Sequence, residues 1–593
     1  SRIGHLRFTF PVDTSPYILL EATRAACPNC SWPTCPIGSI SAYPLGTCAS
    51  ALPEICGRKP ERQDRILGPS PAPSFAVQNG SISEDAESGE GSLLSAYVRF
   101  ANGTTVVDVR VGVSFISEEN ARASLEREVP DGTSLVEAAR RTREAWVEKL
   151  GRVKVEGTKD DQRAVFYTDS VHEGGSYTGY SIWDTYRAEW AWQILLAPER
   201  IPGMVRSMLQ DYQQSGWLPM WKNIVETNIM VGQRLESTRT YGPISSRWPR
   251  MPTRSLLRLS SRASSGFDVD LAYEAVYKDA TAPPVDDWTI SYYDREEGVG
   301  YEVHAGLSSV YEEKGWPLCF LLIAIFTRDH ADDDYAVSAL AEHLGHTENA
   351  TFFRNRALTA PFAIFNSDTG FMEARDANDS WAGQDQGWTE GDMRAYTFDV
   401  IQDIPGLIEC RGENASFVAF LDEHFDGGHN DHTNELSHHI PHLYALAGAA
   451  SKSQERSREV AEANYNSSVN GLSGNEDCGQ MSAWYIFSAL AFYPVDPVSA
   501  EYVVGTPFYD KVTIDLPASN RPLIITSKGA PSMPYIKSLT LNGESVEVPI
   551  IRHEQIVSGG EIVFEMSAEP QAWASATLVG GESASAEADA FTN

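Results

Sequence analysis

The segment Ser134–Leu150 reads SLVEAARRTREAWVEKL and marks the place where the apolar pattern of the chain changes its period. Ser134 belongs to the residue types that cap helices, and the apolar residues after it recur at helical spacing. The residues that fall near one face are Leu135, Ala138, Ala139, Ala145, Trp146 and Leu150. We predict a helical linker between two domains, over residues 131–155.

Before this linker, short runs of β-forming residues alternate apolar and polar side chains between Gly, Pro and Asn turns. These runs are Arg7–Phe10, Tyr17–Leu20, Ala96–Phe100 and Thr105–Phe115. Such alternation is typical of strands with one buried face. It predicts an antiparallel β-sandwich over residues 1–130.

Beyond the linker the apolar spacing is mainly helical, from Tyr180 to Tyr493, with turns that would collect at one end of a helical array. This pattern favours an α/α barrel over an irregular bundle, and we place the barrel at residues 156–500. Strand patterns return after Pro494 and predict a β-rich segment at 501–579. The small and acidic residues 580–593 predict a disordered tail.

Composition excludes some classes of partner. The 593 residues include 81 acidic and 47 basic side chains, for a net charge of −34, which repels nucleic acid at long range. The longest apolar run, Leu318–Phe326, is too short to cross a bilayer, so we expect no membrane insertion. The 14 Trp suit a protein that stacks rings on sugar faces, although most Trp belong to cores.

Cysteines and glycosylation sequons favour secretion. Five of the eight cysteines lie in the first tenth of the chain, where local disulfides are expected in an oxidising compartment and free thiols are the alternative. They are Cys27, Cys30, Cys35, Cys48 and Cys56. The Asn-x-Ser/Thr sequons begin at Asn29, Asn79, Asn102, Asn349, Asn378, Asn414 and Asn466. We expect a secreted glycoprotein.

Two separated acidic segments could supply catalytic carboxylates. Glu390 lies between Trp388 and Gly391, surroundings that suit a general acid, although a lone Glu in such a setting is more often structural. Glu476 and Asp477 lie on a predicted turn before an aromatic helix, where they could also act as partners of the helix dipole. A pair of separated carboxylates is what glycoside hydrolysis requires, an acid for the departing oxygen and a base for water.

The run His429–His439, HNDHTNELSHH, is too polar for a buried helix and reads as a site loop. Asn434 and Glu435 offer hard oxygen ligands that suit Ca²⁺, whereas the histidines alone would suggest zinc. No cysteine in the run supports zinc. A polar loop without a metal remains an equal alternative on spacing alone.

Four ordered motifs resemble those of glycoside hydrolase family 92, the calcium-dependent α-mannosidases. They are Ser181–Arg187 (SIWDTYR), Gly216–Pro219 (GWLP), Asn434–His439 (NELSHH) and Gly474–Tyr485 (GNEDCGQMSAWY). The resemblance extends over most of the chain, to about Phe508. It implies a multidomain fold of α and β structure, with an N-terminal β-sandwich packed on an (α/α)6 barrel, followed here by C-terminal β-strands.

The resemblance also implies roles for the matching residues. Glu390 is similar in position to the family's general acid, and Asp477 to the base that activates water for inversion. Asn434 and Glu435 are the implied ligands of Ca²⁺. The implied substrate-binding residues are Trp183, Asp184, Arg187, Glu435 and His438; for the first three, a buried network at a helix start is the alternative.

The chain departs from the family pattern in several places. The family pattern leads us to expect further sandwich strands before Gly4 and a longer loop at the short connection 168–171. Residues 233–265 are rich in Arg and Ser, and residues 317–331 are apolar where a polar helix is expected. We interpret these changes as artefacts of the gene model, and the sandwich as partial; a basic surface insertion is the alternative for 233–265. Leu436 also replaces an expected proline.

We therefore expect a secreted, exo-acting α-mannosidase that removes terminal mannose, most commonly α-1,2-linked in this family, from N-glycans or mannan. The expected partner is a mannose-containing oligosaccharide or glycoprotein, and a missing N-terminal portion of the chain's own fold could complete the sandwich. One alternative is an inactive mannose-binding pseudoenzyme. Another is a mannosidase of different linkage, or one of mannosyl-phosphate specificity; the presence of Glu390 argues against mannosyl phosphate as the substrate and leaves the linkage open.

Overall fold

The protein is described by a computed structural model that falls into two compact units, Ser1–Lys149 and Leu150–Asn593. The structure describes residues 3–12, 14, 16–21, 38–41, 54–58, 73–77, 81–83, 88–91, 95–100, 102–112, 118–157, 180–219, 221–222, 226–227, 234–235, 246–247, 266–282, 324–375, 380–384, 388, 390–517 and 519–575. None of the helices in these ranges has the length and apolar character needed to cross a bilayer.

The first unit is built from antiparallel strands followed by two helices. The strands are β1 (Ile3–Thr9), β2 (Tyr17–Glu21), β3 (Gly38–Ser41), β4 (Glu54–Arg58), β5 (Pro73–Val77), β6 (Ser81–Ser83), β7 (Ser88–Gly91), β8 (Ser95–Arg99) and β9 (Val106–Gly112), and the helices are α1 (Glu118–Glu128) and α2 (Leu135–Leu150). They form sheets in the orders β1-β9-β4, β2-β8-β5-β6 and β3-β7. Ile18 of the second sheet packs with Val107 and Val109 of the first, so these two sheets share a small core.

The predicted helix start at Ser134 is confirmed. The Ser134 hydroxyl accepts a hydrogen bond of 3.2 Å from the backbone N–H of Glu137, in the first turn of α2. This bond satisfies one of the N–H groups that have no partner within the helix itself.

Within the described residues of the second unit, helices contain more residues than strands do. The helices are α3 (Ile182–Thr185), α4 (Glu189–Leu196), α5 (Ile201–Ser215), α6 (Val269–Thr281), α7 (Ala324–His343), α8 (Thr347–Ala363), α9 (Met393–Thr397), α10 (Ile404–Cys410), α11 (Glu413–Asp426), α12 (Ile440–Leu446), α13 (Ala450–Asn464), α14 (Gln480–Ala489) and α15 (His553–Ile556). Single 3₁₀ turns cover Ile401–Asp403, Glu435–Ser437 and Asp477–Gly479.

Consecutive helices pack in pairs, α7 with α8, α10 with α11 and α12 with α13. Trp190 and Trp484 are among the largest side chains buried in the continuous core of this unit. Such pairs are the building blocks of an α/α barrel. The closed (α/α)6 ring remains a prediction, because part of this region lies outside the described residues.

The remaining strands of the second unit form one large sheet and several small ones. The strands are β10 (Val153–Glu156), β11 (Tyr180–Ser181), β12 (Trp221–Lys222), β13 (Glu226–Thr227), β14 (Arg234–Leu235), β15 (Ser246–Arg247), β16 (Phe365–Asn366), β17 (Phe371–Met372), β18 (Leu490–Tyr493), β19 (Glu501–Pro507), β20 (Lys511–Ile514), β21 (Leu523–Thr526), β22 (Tyr535–Leu541), β23 (Glu544–Ser545), β24 (Ile550–Arg552) and β25 (Gly560–Ser567). The large sheet has the order β10-β20-β21-β25-β22-β23, with all pairs antiparallel except β21 and β25. The pairing of β10 with β20 joins the residues just after the linker helix to the C-terminal strands.

Some predictions concern residues outside the described ranges. These are the tail at 580–593, the short connection at 168–171, Cys27, Cys30, Cys35 and Cys48, and all but four residues of the segment 233–265. For Cys56 only the backbone, in β4, is described.

Candidate active site

Three carboxylates from distant parts of the second unit come together. They belong to Asp184 on α3, Glu435 in the 3₁₀ turn before α12, and Asp477 in the 3₁₀ turn before α14, and one oxygen atom from each lies within 4.8 Å of the others. Asp184 and Glu435 are buried and Asp477 is half-buried. We call these residues the carboxylate triad.

The ionisation of the triad is opposed by its surroundings. Burial, together with the charge of Asp477, raises the pKa of Asp184 to about 7. Burial and the neighbouring Asp184 and Asp477 raise the pKa of Glu435 to about 10. Burial also raises the pKa of Asp477. The triad therefore needs either protons or a cation to be stable at neutral pH.

The donor set fits a hard divalent cation. All three groups offer carboxylate oxygens, the ligands that Ca²⁺ prefers. Among the described residues no hydrogen-bond donor faces Glu435 Oε1, although this atom is buried. A buried oxygen with no hydrogen-bond partner is costly unless a proton, water or ion satisfies it.

The local sequence around Asp184 explains how this carboxylate is held in place. Ser181 lies at the N-cap of α3, but its hydroxyl donates to Asp184 Oδ2 and not to the helix, whose N–H groups are the usual partners of an N-cap side chain. Thr185 Oγ1 donates to the Ser181 carbonyl at 2.9 Å and accepts from Trp190 Nε1 at 3.1 Å. Asp184 is therefore fixed by a short polar chain inside the core.

Asp477 lies on a left-handed turn. The φ angles of Asp477, Cys478 and Gly479 are 44°, 59° and 113°. Each non-glycine residue in this region costs roughly 1–2 kcal/mol, and such strain is found most often at functional sites. Gly479 is required for a second reason, because an added Cβ would lie 2.6 Å from Cγ of Glu189.

Glu390 is exposed and is tied to the loop that carries Glu435. Its φ angle is 61°, and its Oε2 accepts a hydrogen bond of 2.7 Å from Asn434 Nδ2. A Cβ on Gly391 would approach Leu436 Cδ2 to 2.5 Å, so a larger residue at this position would force the Leu436 side chain to move. The structure thus places the predicted acid beside the loop of the triad.

Trp183 and Arg187 belong to a buried network. The Arg187 guanidinium lies over the Trp183 and Tyr186 rings, at 4.9 and 4.8 Å from their centroids. It is 3.4 Å from Asp399 Oδ2, and Asp399 Oδ1 is in turn 3.6 Å from His439 Nε2. Contact between these side chains and a substrate remains a prediction.

His438 is fully buried and links the loop to α14. Its Nδ1 is 3.1 Å from Gln480 Nε2, and its carbonyl accepts from Trp484 Nε1 at 2.7 Å. Gln480 Oε1 accepts from the backbone N–H groups of Ala188 and Glu189 at 2.9 and 3.2 Å, so Nε2 is the amide atom that can donate to His438. Burial lowers the pKa of His438 well below its usual value, so this ring is neutral.

Sequence reasoning did not single out Glu189 or Gln480. Glu189 is buried, which raises its pKa to about 8, and its Oε1 accepts from Gln193 Nε2 at 2.8 Å. Gln480 lies within the quoted GNEDCGQ motif, and a polar side chain at the start of an aromatic helix was the signal that could have identified it. No sequence pattern around Glu189 indicates a role in the site, because Glu189 comes close to Gly479 only in the folded protein.

The site is therefore a carboxylate-based hydrolase site with a candidate metal position. The sequence model described as "Glycosyl hydrolase family 92 catalytic domain" matches residues 120–173 and 168–568. These matches cover most of the chain, and the chain belongs to glycosyl hydrolase family 92. The two matched pieces overlap at 168–173, around the short connection at 168–171.

The chain is similar to proteins from a fungus and from a bacterium. An uncharacterized secreted glycosidase of Arthroderma benhamiae is 27% identical over 526 residues, 80% of this chain, and the chain spans 63% of that relative's length. A family GH92 alpha-mannosidase of Bacteroides thetaiotaomicron has a TM-score of 0.79 and 24% identity over 97% of this chain and 78% of its own. It has also been solved in complex with mannoimidazole.

A family GH92 inverting mannosidase of the same bacterium has a TM-score of 0.78 and 23% identity, over 96% of this chain and 80% of its own. At these identities the structural likeness shows a shared fold.

Proposed function

We propose that this protein is an exo-acting α-mannosidase that hydrolyses a terminal α-mannoside with inversion and depends on Ca²⁺. The observation that carries the proposal is the meeting of Asp184, Glu435 and Asp477 within 4.8 Å, with Glu390 joined to the adjacent Asn434. Family membership and the names of the bacterial relatives, an alpha-mannosidase and an inverting mannosidase, support it.

Asp477 is the base and Glu390 the acid of the proposed reaction. Asp477 takes a proton from the water whose oxygen attacks the anomeric carbon of mannose. The bond from that carbon to the glycosidic oxygen breaks, and Glu390 gives its proton to the departing oxygen. One carboxylate ends protonated and the other ionised, as in inverting glycosidases.

Asp184 and Glu435 would hold the cation, with Asp477 at the edge of its site. Asn434 would join them through Oδ1, the only side-chain atom of asparagine that can bind Ca²⁺, while its Nδ2 donates to Glu390. When bound, the ion would supply positive charge that neutralises the carboxylates and orients sugar hydroxyls. Without it, the raised pKa values of Asp184 and Glu435 leave the triad partly protonated.

The substrate is proposed to be a mannose-containing oligosaccharide or glycoprotein, such as an N-glycan or mannan, with α-1,2 linkage preferred. Secretion is proposed with it, supported by the fungal relative named as a secreted glycosidase. The sugar site is proposed to be supported by three side chains that lie beneath its surface, since all three are buried: Trp183, Arg187 and His438.

The test uses leaving groups of different quality. Glu390→Gln should lower kcat on mannobiose by about 10²–10⁴-fold, the usual range for a general acid. The loss should be much smaller on a dinitrophenyl α-mannoside, because its leaving group, dinitrophenolate, departs without protonation. Asp477→Asn should be impaired on both substrates. NMR of the first product should show β-mannose. Equal losses of Glu390→Gln on both substrates would contradict the assignment of the acid, and α-mannose would contradict inversion.

A binding-only protein is the second outcome that the test can reveal. Calcium-dependent binding of mannose by the folded protein, with no release from any mannobiose, would identify a pseudoenzyme and overturn the proposal.

A further inference from the structure

The carboxylate of Glu476 closes the left-handed turn that carries Asp477. Its Oε2 accepts a hydrogen bond of 2.6 Å from the Gly479 N–H, and its Oε1 accepts one of 2.6 Å from the Ser482 hydroxyl. The Asp477 carbonyl accepts from the Gln480 N–H at the end of the same turn. Glu476 therefore bridges the turn and the first residues of α14.

The turn depends on such bridging because its own backbone is unfavourable. Asp477 and Cys478 both have positive φ, and residues of this kind keep that conformation only when the surrounding structure fixes it. Hydrogen bonds to an ionised carboxylate are among the stronger ones available. On the other side of the turn, Glu189 leaves no space for a side chain at Gly479.

We propose that Glu476 is a positioning residue, whose two hydrogen bonds hold the Asp477 turn so that the Asp477 carboxylate reaches Asp184 and Glu435. The inference rests on the proposed function, in which Asp477 is the base. Glu476 itself transfers no proton: both of its oxygens are engaged as acceptors within the turn. Two adjacent acids of one motif thus have different roles.

Substitution of Glu476 by glutamine distinguishes a positioning role from a role in proton transfer. In Glu476→Gln the amide oxygen can accept from Gly479 and the amide nitrogen can donate to the Ser482 hydroxyl, so both bridges survive, whereas Glu476→Ala loses both. Since a misplacement of about 1 Å can cost about 10²-fold, we expect Glu476→Ala to lower kcat about 10- to 100-fold with KM and the pH profile little changed. Glu476→Gln should recover most of that loss, and Ser482→Ala should fall between.

A loss in Glu476→Gln as large as in Glu476→Ala, or a missing limb of the pH profile in either, would make Glu476 a proton-transfer group and overturn the proposal. Asp268→Ala is the matched control, because Asp268 also accepts from a backbone N–H, that of Leu271 at the start of α6. This control should lower Tm and leave kcat unchanged.

Alkylation of Cys478 tests the turn without activity. Cys478 is half-buried in the turn, so its reaction with iodoacetamide, followed by peptide mass spectrometry at one pH, reports opening. Both Glu476 variants lose a charge that raises the pKa of Cys478, so the rate should be several-fold higher in Glu476→Ala than in Glu476→Gln, and Asp268→Ala should react like the wild type. Equal rates in Glu476→Ala and Glu476→Gln would contradict the inference even if the wild type released no mannose, and the two failures are thereby distinguished.

Discussion

Nδ2 of Asn434 donates a hydrogen bond of 2.7 Å to Oε2 of Glu390, a residue 44 positions away in the sequence. Asn434 directly precedes Glu435 of the triad, and Glu390 has a left-handed backbone. This bond is therefore the direct polar link between the proposed acid and the loop that carries a proposed metal ligand. In the proposed mechanism, the other oxygen of Glu390, Oε1, would face the departing oxygen.

Removal of this link should impair the reaction while the protein remains folded. Asn434→Ala should lower kcat on α-1,2-mannobiose by about tenfold or more, because the acid is no longer held in place. Asn434→Asp should be worse, since it puts a second carboxylate against Glu390. Asn464→Ala is the control: Asn464 Nδ2 donates to the Val460 carbonyl on α13, outside the site. Full kcat in Asn434→Ala would show that the link has no catalytic role.

Loss of one triad carboxylate should weaken calcium binding. Glu435→Gln keeps the size of the side chain but removes a charge, and we expect at least about tenfold weaker binding of Ca²⁺ by isothermal titration. Glu423→Gln, which removes a surface ion pair with Arg394, should bind Ca²⁺ like the wild type. If Glu435→Gln and the wild type bind equally, the ion is held elsewhere.

Glu189 should make stability depend on pH. Burial raises the pKa of this carboxyl in the folded protein to about 8 from an ordinary value of 4.5. The folded state must then keep a proton that the unfolded state releases, so stability falls as pH rises from 4.5 to 8 and is fully present only below that window. Each pH unit within the window costs roughly 1.4 kcal/mol.

Glu189→Gln should flatten this dependence, because an amide does not titrate. Urea unfolding across the window should show the variant gaining stability over the wild type as pH increases, with Glu455→Gln on the exposed side of α13 as the control. A constant difference between Glu189→Gln and the wild type at every pH would contradict the assignment.

The buried ion pair between α7 and α8 should be sensitive to loss of one partner. Arg356 donates to both oxygens of the fully buried Asp334, and to the Ala280 carbonyl at 3.1 Å. Arg356→Leu should cost about 3–5 kcal/mol, because the Asp334 charge is left buried without its partner. The double variant with Asp334→Asn should recover part of that loss. If the double variant is no more stable than Arg356→Leu, the charge is not the cause.

Sequence patterns predicted those features of the fold that depend on residues close together in the sequence. The alternation in the N-terminal strands, the cap at Ser134 and the four family motifs are local, and each could be recognised without a structure. The family itself followed from the order of those motifs. By contrast, the pairing of β10 with β20 joins residues more than three hundred positions apart, and no local signal indicates it.

The same distinction holds at the site. Asp184, Glu435 and Asp477 each lie in a motif, but their meeting within 4.8 Å is a property of the fold. The turn at Asp477 needed positive φ at two non-glycine residues, which residue types do not predict. Glu476 was recognised as an acid near a helix start, whereas its two bonds across the turn could be seen only in the structure.

Calcium-dependent mannosidase activity is tested by the release of mannose from α-1,2-mannobiose by the purified protein, with Ca²⁺ and with a chelator. We predict release with calcium, loss of release with the chelator, and recovery when calcium is restored. Equal release in the presence of the chelator would contradict the dependence on calcium, and no release of mannose by folded, calcium-loaded protein from α-1,2-, α-1,3- or α-1,6-mannobiose would contradict the mannosidase activity.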